Sequence, residues 1–345
     1  MRNINEIGFF DLDERLLQLT DAKDPLVRLK GLIDWEQFRA GLERVLRKEA
    51  KGKGGRPPFD YLMMFKILIL QRYYNLSDDQ MEYQILDRVS FMRFLGLKIS
   101  DKVPDAKTIW HFREQLTKSE AIEGLFEQFL GTLDRAGLVL HEGSIVDASF
   151  VEVPKQRNSS DENKQIKGGR TPEGWEKSKL AQKDVDARWS KKNHENFYGY
   201  KDHVKADAGS KLITAYKVTE ATVHDSQMLE PLLDETDAGQ PVYADKAYAG
   251  KKQIVREKNA EPRICEQGWH SRPLTEEQKE ANRIKSKTRS RIEHIFGFIQ
   301  NSMGGSFIRS IGSARAKTMI GLMNLTYNLF RTLQLMKIRD ITASI

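Results

Sequence analysis

Apolar positions recur at helical spacing through the first 135 residues. Leu12, Leu16, Leu17 and Leu19 line one face, and Trp35, Phe38, Leu42 and Val45 line another. The stretch from Arg39 to Arg56 carries seven basic and two acidic residues and ends in Lys51-Gly-Lys-Gly-Gly-Arg-Pro-Pro58. Its glycines and prolines cannot continue a helix, so a flexible basic linker is predicted there. Helix resumes over Phe59–Tyr74. A second helix is predicted to start at Ser77, a good N-cap, with Asp78 and Asp79 suiting its positive end. A third, from about Asp105 to Leu116, follows Pro104 and carries Trp110, Phe112 and Leu116. Short helices joined by tight turns suit a helix-turn-helix-like DNA-binding bundle. A helical dimerisation or scaffold region accounts for the same pattern.

After Gly137 the period shortens. Ser144-Ile-Val-Asp-Ala-Ser-Phe-Val-Glu-Val153 is rich in β-branched and aromatic residues and predicts a strand. Lys155 to Glu195 holds 11 basic and 7 acidic residues with few apolar ones, the composition of a long basic loop or a poorly ordered insertion. Strands follow over Phe197–Ala206 and Leu212–Thr219, joined by the hairpin-like Asp207-Ala-Gly-Ser210. Then come a helix at about Ser226–Glu235, a strand at Pro241–Ala244, a helix at Lys251–Lys258 and a strand near Pro262–Cys265. Ser286–Gln300 and Ala314–Met336 are the clearest late helices. Three strands, helix, strand, helix, strand, then helices is the element order of an RNase H-like α/β core. The predicted division is a helical region over 1–136, a mixed-sheet catalytic core over 137–312 with its basic insertion at about 155–195, and a C-terminal helix over 313–345 packing on that core.

Composition narrows the picture. With 345 residues, 39% of them hydrophobic, the chain is of two-domain size and can build a core, which excludes wholesale disorder. A single cysteine, Cys265, excludes a disulfide framework and a Cys-rich zinc site. Met1-Arg-Asn-Ile-Asn-Glu lacks the apolar run of a secretory signal, and Thr318–Phe330 is too short to cross a bilayer. A cytoplasmic protein with no membrane partner is expected. The net charge of +7 resides entirely in residues 141–345, residues 1–140 being balanced. A basic balance attracts polyanions, of which nucleic acid is the commonest in that compartment. On charge alone a merely soluble basic protein fits as well.

Three acids stand where chemistry would need them. Asp147 lies within the first predicted strand, and Asp245 closes the run Pro-Val-Tyr-Ala, at the carboxyl end of a short buried strand where α/β sheets place ligands. If these strands are neighbours the two carboxylates face one another, and a divalent cation is the usual reason to keep both. Glu293 lies on the late helix whose packing face is Ile292, Ile295, Phe296 and Ile299. At about 100° per residue, Arg289, Glu293 and Gln300 fall along one edge of that face, so Glu293 is expected to border the buried side. Taken singly, each acid has an ordinary alternative: a turn or N-cap role for either aspartate, and an ion pair with Arg289 for Glu293. Together, three hard-oxygen donors on two strands and a helix suit two-metal phosphoryl transfer with Mg²⁺ or Mn²⁺. No phosphate-binding glycine loop, H-E-x-x-H spacing or serine nucleophile elbow is present, so no nucleotide cofactor or zinc hydrolase is expected. Asp225, a predicted N-cap, is the reserve acid should Asp245 fail, and His203 and His224 suit satisfied structural histidines.

Eight segments carry a resemblance. They are Gly55-Arg-Pro-Pro-Phe-Asp-Tyr-Leu, Tyr74-Asn-Leu-Ser-Asp, Pro104-Asp-Ala-Lys-Thr-Ile-Trp-His-Phe-Arg113, Ile145-Val-Asp-Ala-Ser, Phe197-Tyr-Gly-Tyr-Lys-Asp-His-Val204, His224-Asp-Ser226, Ala244-Asp-Lys-Ala-Tyr248 and Arg289-Ser-Arg-Ile-Glu-His-Ile-Phe-Gly297. In this order the chain resembles bacterial DDE transposases of the insertion-sequence-five family over about residues 55–300. The resemblance implies that Asp147, Asp245 and Glu293 are both the catalytic acids and the ligands of two divalent ions, with Asp147 and Asp245 bridging them. It also implies double-stranded DNA partners, the terminal inverted repeats and target DNA, and a homodimer. Arg289 matches the arginine of the related Y-(2)-R-(3)-E-(6)-K pattern, from which the chain departs with Ser286 in the tyrosine place and Gln300 in the lysine place. For DNA contact the candidates are Lys285, Lys287, Arg289 and Arg291 on the late helix, Trp175 and Trp189 in the basic insertion, and Arg56 in the linker. A metal nuclease without strand transfer and a non-catalytic DNA-binding regulator are the competing functions.

Overall fold

The structure is a computed structural model and describes residues 8, 10–47, 57–192, 194–269 and 271–338. Arg56 and most of the predicted basic linker lie outside the described residues. The amino-terminal region is helical, with α1 (Asp11–Asp21), α2 (Pro25–Leu32), α3 (Arg39–Leu46), α4 (Tyr61–Tyr73), α5 (Asp78–Asp87), α6 (Val89–Leu95), α7 (Ala106–Lys118) and α8 (Ala121–Arg135). Local chemistry sets several of the starts. Asp60 and Asp105 accept the backbone N–H three residues on, and Ser77 with Gln80 forms a reciprocal capping box at α5. α6 stops at Gly96, whose φ of +80° only glycine adopts without strain.

The remainder is a mixed sheet. β1 (Ser144–Glu152) leads into the insertion, which holds α9 (Ser160–Lys167), α10 (Lys177–Leu180) and β2 (Arg188–Lys192). β3 (Glu195–Asp207) and β4 (Ile213–Glu220) complete an antiparallel meander. After α11 (Leu229–Leu232) comes β5 (Pro241–Ala244), then α12 (Lys252–Glu257) and β6 (Glu261–Ile264). The strand order is β2-β3-β1-β5-β6, with β4 also on β3; β5 lies parallel to β1, and β6 parallel to β5. α13 (Glu276–Arg289), α14 (Arg291–Gly297) and α15 (Ser313–Ile338) close the chain.

The insertion departs from the expectation of a loop. Its anchor is the carboxylate of Asp184, only 1% exposed, which accepts the Tyr200 hydroxyl and the backbone N–H groups of Asp186, Ala187 and Gly312. Asp186 in turn accepts the N–H of Ser313 at the start of α15. A buried polar anchor of this kind leaves no hydrophobic period in the sequence. The helix predicted over Ser226–Glu235 is also shorter, a 3-10 turn at Asp225–Met228 followed by α11, and His224 rather than Asp225 supplies the cap.

Alternation along β1 sorts the sheet into two faces. Val146 points into a small cluster with Leu229, Val242, Tyr248 and Ile264. Ile145, Val151 and Val153 join a large core that runs without a break into the helical region through Phe38, Phe65, Phe129 and α15. α15 packs against β4 and against α2, α4, α7 and α8, so the C-terminal helix is shared by the sheet and the helical region.

Asp202 of β3 is buried under α15, where Asn324 Nδ2 donates to it at 3.1 Å. Burial pushes its carboxyl up to about 7, against the pull of that amide. Raising a carboxyl pKa on folding gives a contribution that is complete below the unfolded value, near 4, and is lost as pH rises through about 7. Asp202→Asn is therefore expected to raise stability at pH 8, by up to about 4 kcal/mol, and to change little at pH 4. Its new amide can also serve Asn324 Oδ1, which has no partner among the described residues. Denaturant unfolding of both proteins at the two pH values measures this; equal differences at both would contradict it.

Candidate active site

β1 and β5 are hydrogen-bonded neighbours with Ser144 opposite Val242 and Ile145 opposite Tyr243. Two residues further along this register stand Asp147 and Asp245. Both fall on the face that carries Ile145 and Tyr243, toward α13 and α14. Asp147 is largely buried, and its carboxyl is pushed up to about 6, first by burial and then by the negative charge of Asp245. The Ala148 N–H, Arg289 and Lys192 act in the opposite sense. Asp245 spends one oxygen on the N–H of Ala247, capping the 3-10 turn that follows β5, so the capping role and the facing position coexist.

The late helix differs from the single element expected over Ser286–Gln300. It breaks at Ser290, where Glu293 N–H reaches back only three residues to the Ser290 carbonyl, and it ends in a π-helical turn over Phe298–Ser302. Ile292, Ile295 and Ile299 are buried as predicted, and Phe296 is partly buried. The predicted edge survives the break, since Arg289 reaches Asp147 and Gln300 Nε2 donates to Ser149 Oγ at 2.6 Å, two residues apart on one face of β1. Glu293 does not border the buried side, its side chain being 63% exposed. The reason is its partner: Arg289 donates through Nη1 to Asp147 Oδ2 at 3.0 Å and through Nη2 to Glu293 Oε1 at 3.1 Å, holding the glutamate at the rim. Ser286 lies 3.7 Å from Cys265 Sγ.

A single guanidinium thus links two of the three acids. Among the described residues no three His, Cys, Asp or Glu side chains stand close enough together to hold a metal ion. The donor chemistry nevertheless suits a hard divalent cation: Asp147 and Asp245 offer carboxylate oxygens at adjacent positions, and Arg289 shows that a cation is already favoured beside Asp147. Gathering a third ligand requires Arg289 to release Glu293.

Sequence reasoning passed over Tyr248. It lies three residues beyond Asp245, is 1% exposed, and its hydroxyl has no partner among the described residues. Burial, followed by the negative charges of Asp147, Asp225 and Asp245, raises its pKa well above the usual phenol value. Ala244-Asp-Lys-Ala-Tyr248 shows that the tyrosine is close to Asp245, but not that Asp147 and Asp225 are near it. The reserve acid, Asp225, is neutralised by Lys201 Nζ at 2.7 Å. His203 is fully buried with Nε2 2.8 Å from Thr219 Oγ1, and burial lowers its pKa to about 4, so it stays neutral at physiological pH.

The DNA-contact candidates divide. Lys287 is exposed, whereas Lys285 donates to the Ile264 carbonyl, Arg291 to the Ala208 carbonyl, and Arg289 is spent on the acids. Trp189 is 48% exposed beside Tyr198. Trp175 is engaged internally: its Nε1 donates to Glu162 at 2.6 Å, and the ammonium groups of Lys179 and Lys183 lie 4.9 and 5.7 Å from its ring.

The mixed sheet with this strand order, followed by late helices packed across β1 and β5, is the arrangement of an RNase H-like core. Residues 140–329 match the family described as Transposase DDE domain, and residues 14–115 match a Transposase domain (DUF772). The chain belongs to the DDE transposases, enzymes that act on DNA by cleavage and strand transfer and use divalent metal ions. Among solved structures it aligns with one described as the cryo-EM structure of piggyBac transposase synaptic complex with hairpin DNA. That alignment covers 92% of this chain and 76% of that chain, with a TM-score of 0.46 and 11% identity. No helix among the described residues is long and apolar enough to cross a membrane.

Proposed function

We propose that Asp147, Asp245 and Glu293 are the catalytic acids and that they hold two Mg²⁺ or Mn²⁺ ions at the ends of the terminal inverted repeats of an insertion sequence, in a homodimer. The observation that supports this reading is the parallel pairing of Ile145 with Tyr243, two residues before Asp147 and Asp245, with Glu293 tied to Asp147 through one arginine. Divalent ions bound there would activate a water or a 3′-hydroxyl and stabilise the leaving oxygen. Arg289 turns from Asp147 and Glu293 to a DNA phosphate as the end docks, which frees Glu293 to join the two aspartates. In the first step water attacks phosphorus and the bond to the 3′-oxygen breaks, leaving a 3′-hydroxyl and a 5′-phosphate. In the second that hydroxyl attacks a target phosphate and displaces a target 3′-hydroxyl. The first step is a hydrolysis, and in the second one phosphodiester forms for the one broken, so neither step consumes ATP. Among the described residues the helical region, the core and α15 then act as one unit around shared apolar packing.

Incubation of the protein with a labelled duplex taken from the genomic border of its own coding sequence tests this. Nicking that requires Mg²⁺ or Mn²⁺, and joining of a precut end to plasmid, are expected. Nicking without joining would favour the nuclease reading, and metal-independent binding with no nicking would favour the regulator.

A further inference from the structure

One helix of the amino-terminal region presents an exposed stripe with a lysine at each end. α7 turns Ile109, Phe112 and Leu116 into the core and leaves Lys107, Trp110, His111 and Lys118 exposed, Trp110 by 46%. Positions 107, 110, 111, 114 and 118 share one face at spacings of three and four. The acid on that face, Glu114, is the only one α7 contains. It is 7% exposed, and both its oxygens are taken by Arg315 of α15, Nε at 2.6 Å and Nη2 at 2.8 Å. The Arg315 side chain is itself 43% exposed. A guanidinium therefore covers the one place where the stripe would turn negative.

The helix is also held in place by its neighbours. Arg113 donates through both Nη atoms to Asp78 of α5 at 2.7 Å, and Glu82 of α5 accepts the N–H of Ala106 at 2.8 Å, so α5 braces α7 at two points. Grooves flank it on both sides. One of about 240 Å³ is lined by Phe59, Tyr61 and His111, and one of about 370 Å³ by Trp110, Arg309 and Ala181. α5 itself exposes Asp79 and Asp87, which phosphates would repel, and the cations of α13 and α14 are mostly committed to carbonyls and carboxylates.

We propose that α7 is the helix that enters the major groove of the element-end duplex, with Lys107, Trp110 and His111 at base edges and Lys118 and Arg315 on phosphates. The inference rests on the family's action on DNA and on the proposed recognition of inverted repeats. A helix of about 10–12 Å diameter fits a major groove about 12 Å wide. An exposed tryptophan and histidine between two lysines, with no exposed acid inside the helix and Asp105 and Glu120 beyond its two ends, match the edge and backbone of duplex DNA in shape and charge.

The test uses the full chain and two duplexes, one from the genomic border of its coding sequence and one of scrambled sequence, with binding followed by fluorescence anisotropy across a salt series. Lys107→Ala with Lys118→Ala is expected to reduce the slope of log affinity against log salt by about one for each phosphate that the variant no longer neutralises. Trp110→Ala is expected to cut the preference for the border duplex by about tenfold or more. Circular dichroism should match the unaltered protein, since all three side chains lie on the surface. Folded variants with unchanged affinity, slope and preference would overturn the assignment of α7 alone. An unaltered protein with no preference for the border duplex would overturn the inverted-repeat reading beneath it, and α7's role with it.

Discussion

Alanine at Asp147, Asp245 or Glu293 is expected to lower cleavage of the element end by about 10³-fold or more, while binding of the same duplex stays within about twofold. The size follows from the chemistry: loss of a ligand that places a divalent ion removes several kcal/mol of transition-state stabilisation, and each ~1.4 kcal/mol is a factor of ten. Glu293 gives the sharpest version of the prediction. Its side chain is mostly exposed and its visible partner is Arg289, a pair worth about 0.3–0.5 kcal/mol. A purely structural Glu293 would therefore be replaceable at almost no cost in stability or rate. Single-turnover cleavage in Mg²⁺ beside thermal unfolding measures both; Glu293→Ala with near-normal cleavage would remove it from the site, and Asp225→Ala with the larger loss would move the site to the reserve acid.

Lys205→Met is expected to cost about 3–5 kcal/mol of stability. Lys205 is 1% exposed, with Nζ 2.7 Å from Asp234 Oδ2 and 2.9 Å from Asp237 Oδ2, and Asp237 is equally buried. Removing the ammonium leaves a carboxylate in the interior which, among the described residues, Ser144 Oγ and the Asp234 N–H still serve. Ser144 begins β1 three residues before Asp147, so loosening this cluster should also blur the register that sets Asp147 beside Asp245. Replacing both charges, Lys205→Met with Asp237→Leu, is expected to restore much of the loss, because a buried pair often stabilises little beyond an apolar pair of similar volume. Urea unfolding of single and double variants decides it: additive losses would contradict the account.

Much of the core was legible because buried strands announce themselves. Ile145-Val146 before Asp147 and Pro241-Val-Tyr-Ala before Asp245 are short apolar runs ending in an acid, and the structure sets them side by side. The edge of the late helix was legible from its period alone, for Arg289 and Gln300 reach the same strand. What the period could not show was the break at Ser290, where every residue remains locally helical and only the hydrogen bonding changes. Nor could it show the fold of the insertion, which depends on Asp184, a charged residue whose four donors are scattered from Asp186 to Gly312. Tyr248 was hidden for a related reason: two of the three acids that act on it, Asp147 and Asp225, are remote from it in sequence, and a tyrosine in an apolar cluster has the pattern of an ordinary core residue.

The most direct test of the central claim is the structure of the full chain bound to an element-end duplex in Mn²⁺, with anomalous scattering used to locate the ions. Manganese is expected between Asp147 and Asp245, with Glu293 turned inward to it and Arg289 moved from Asp147 to a phosphate. Manganese bound elsewhere, or Arg289 still joining Asp147 to Glu293 in a complex that has cut its DNA, would contradict it.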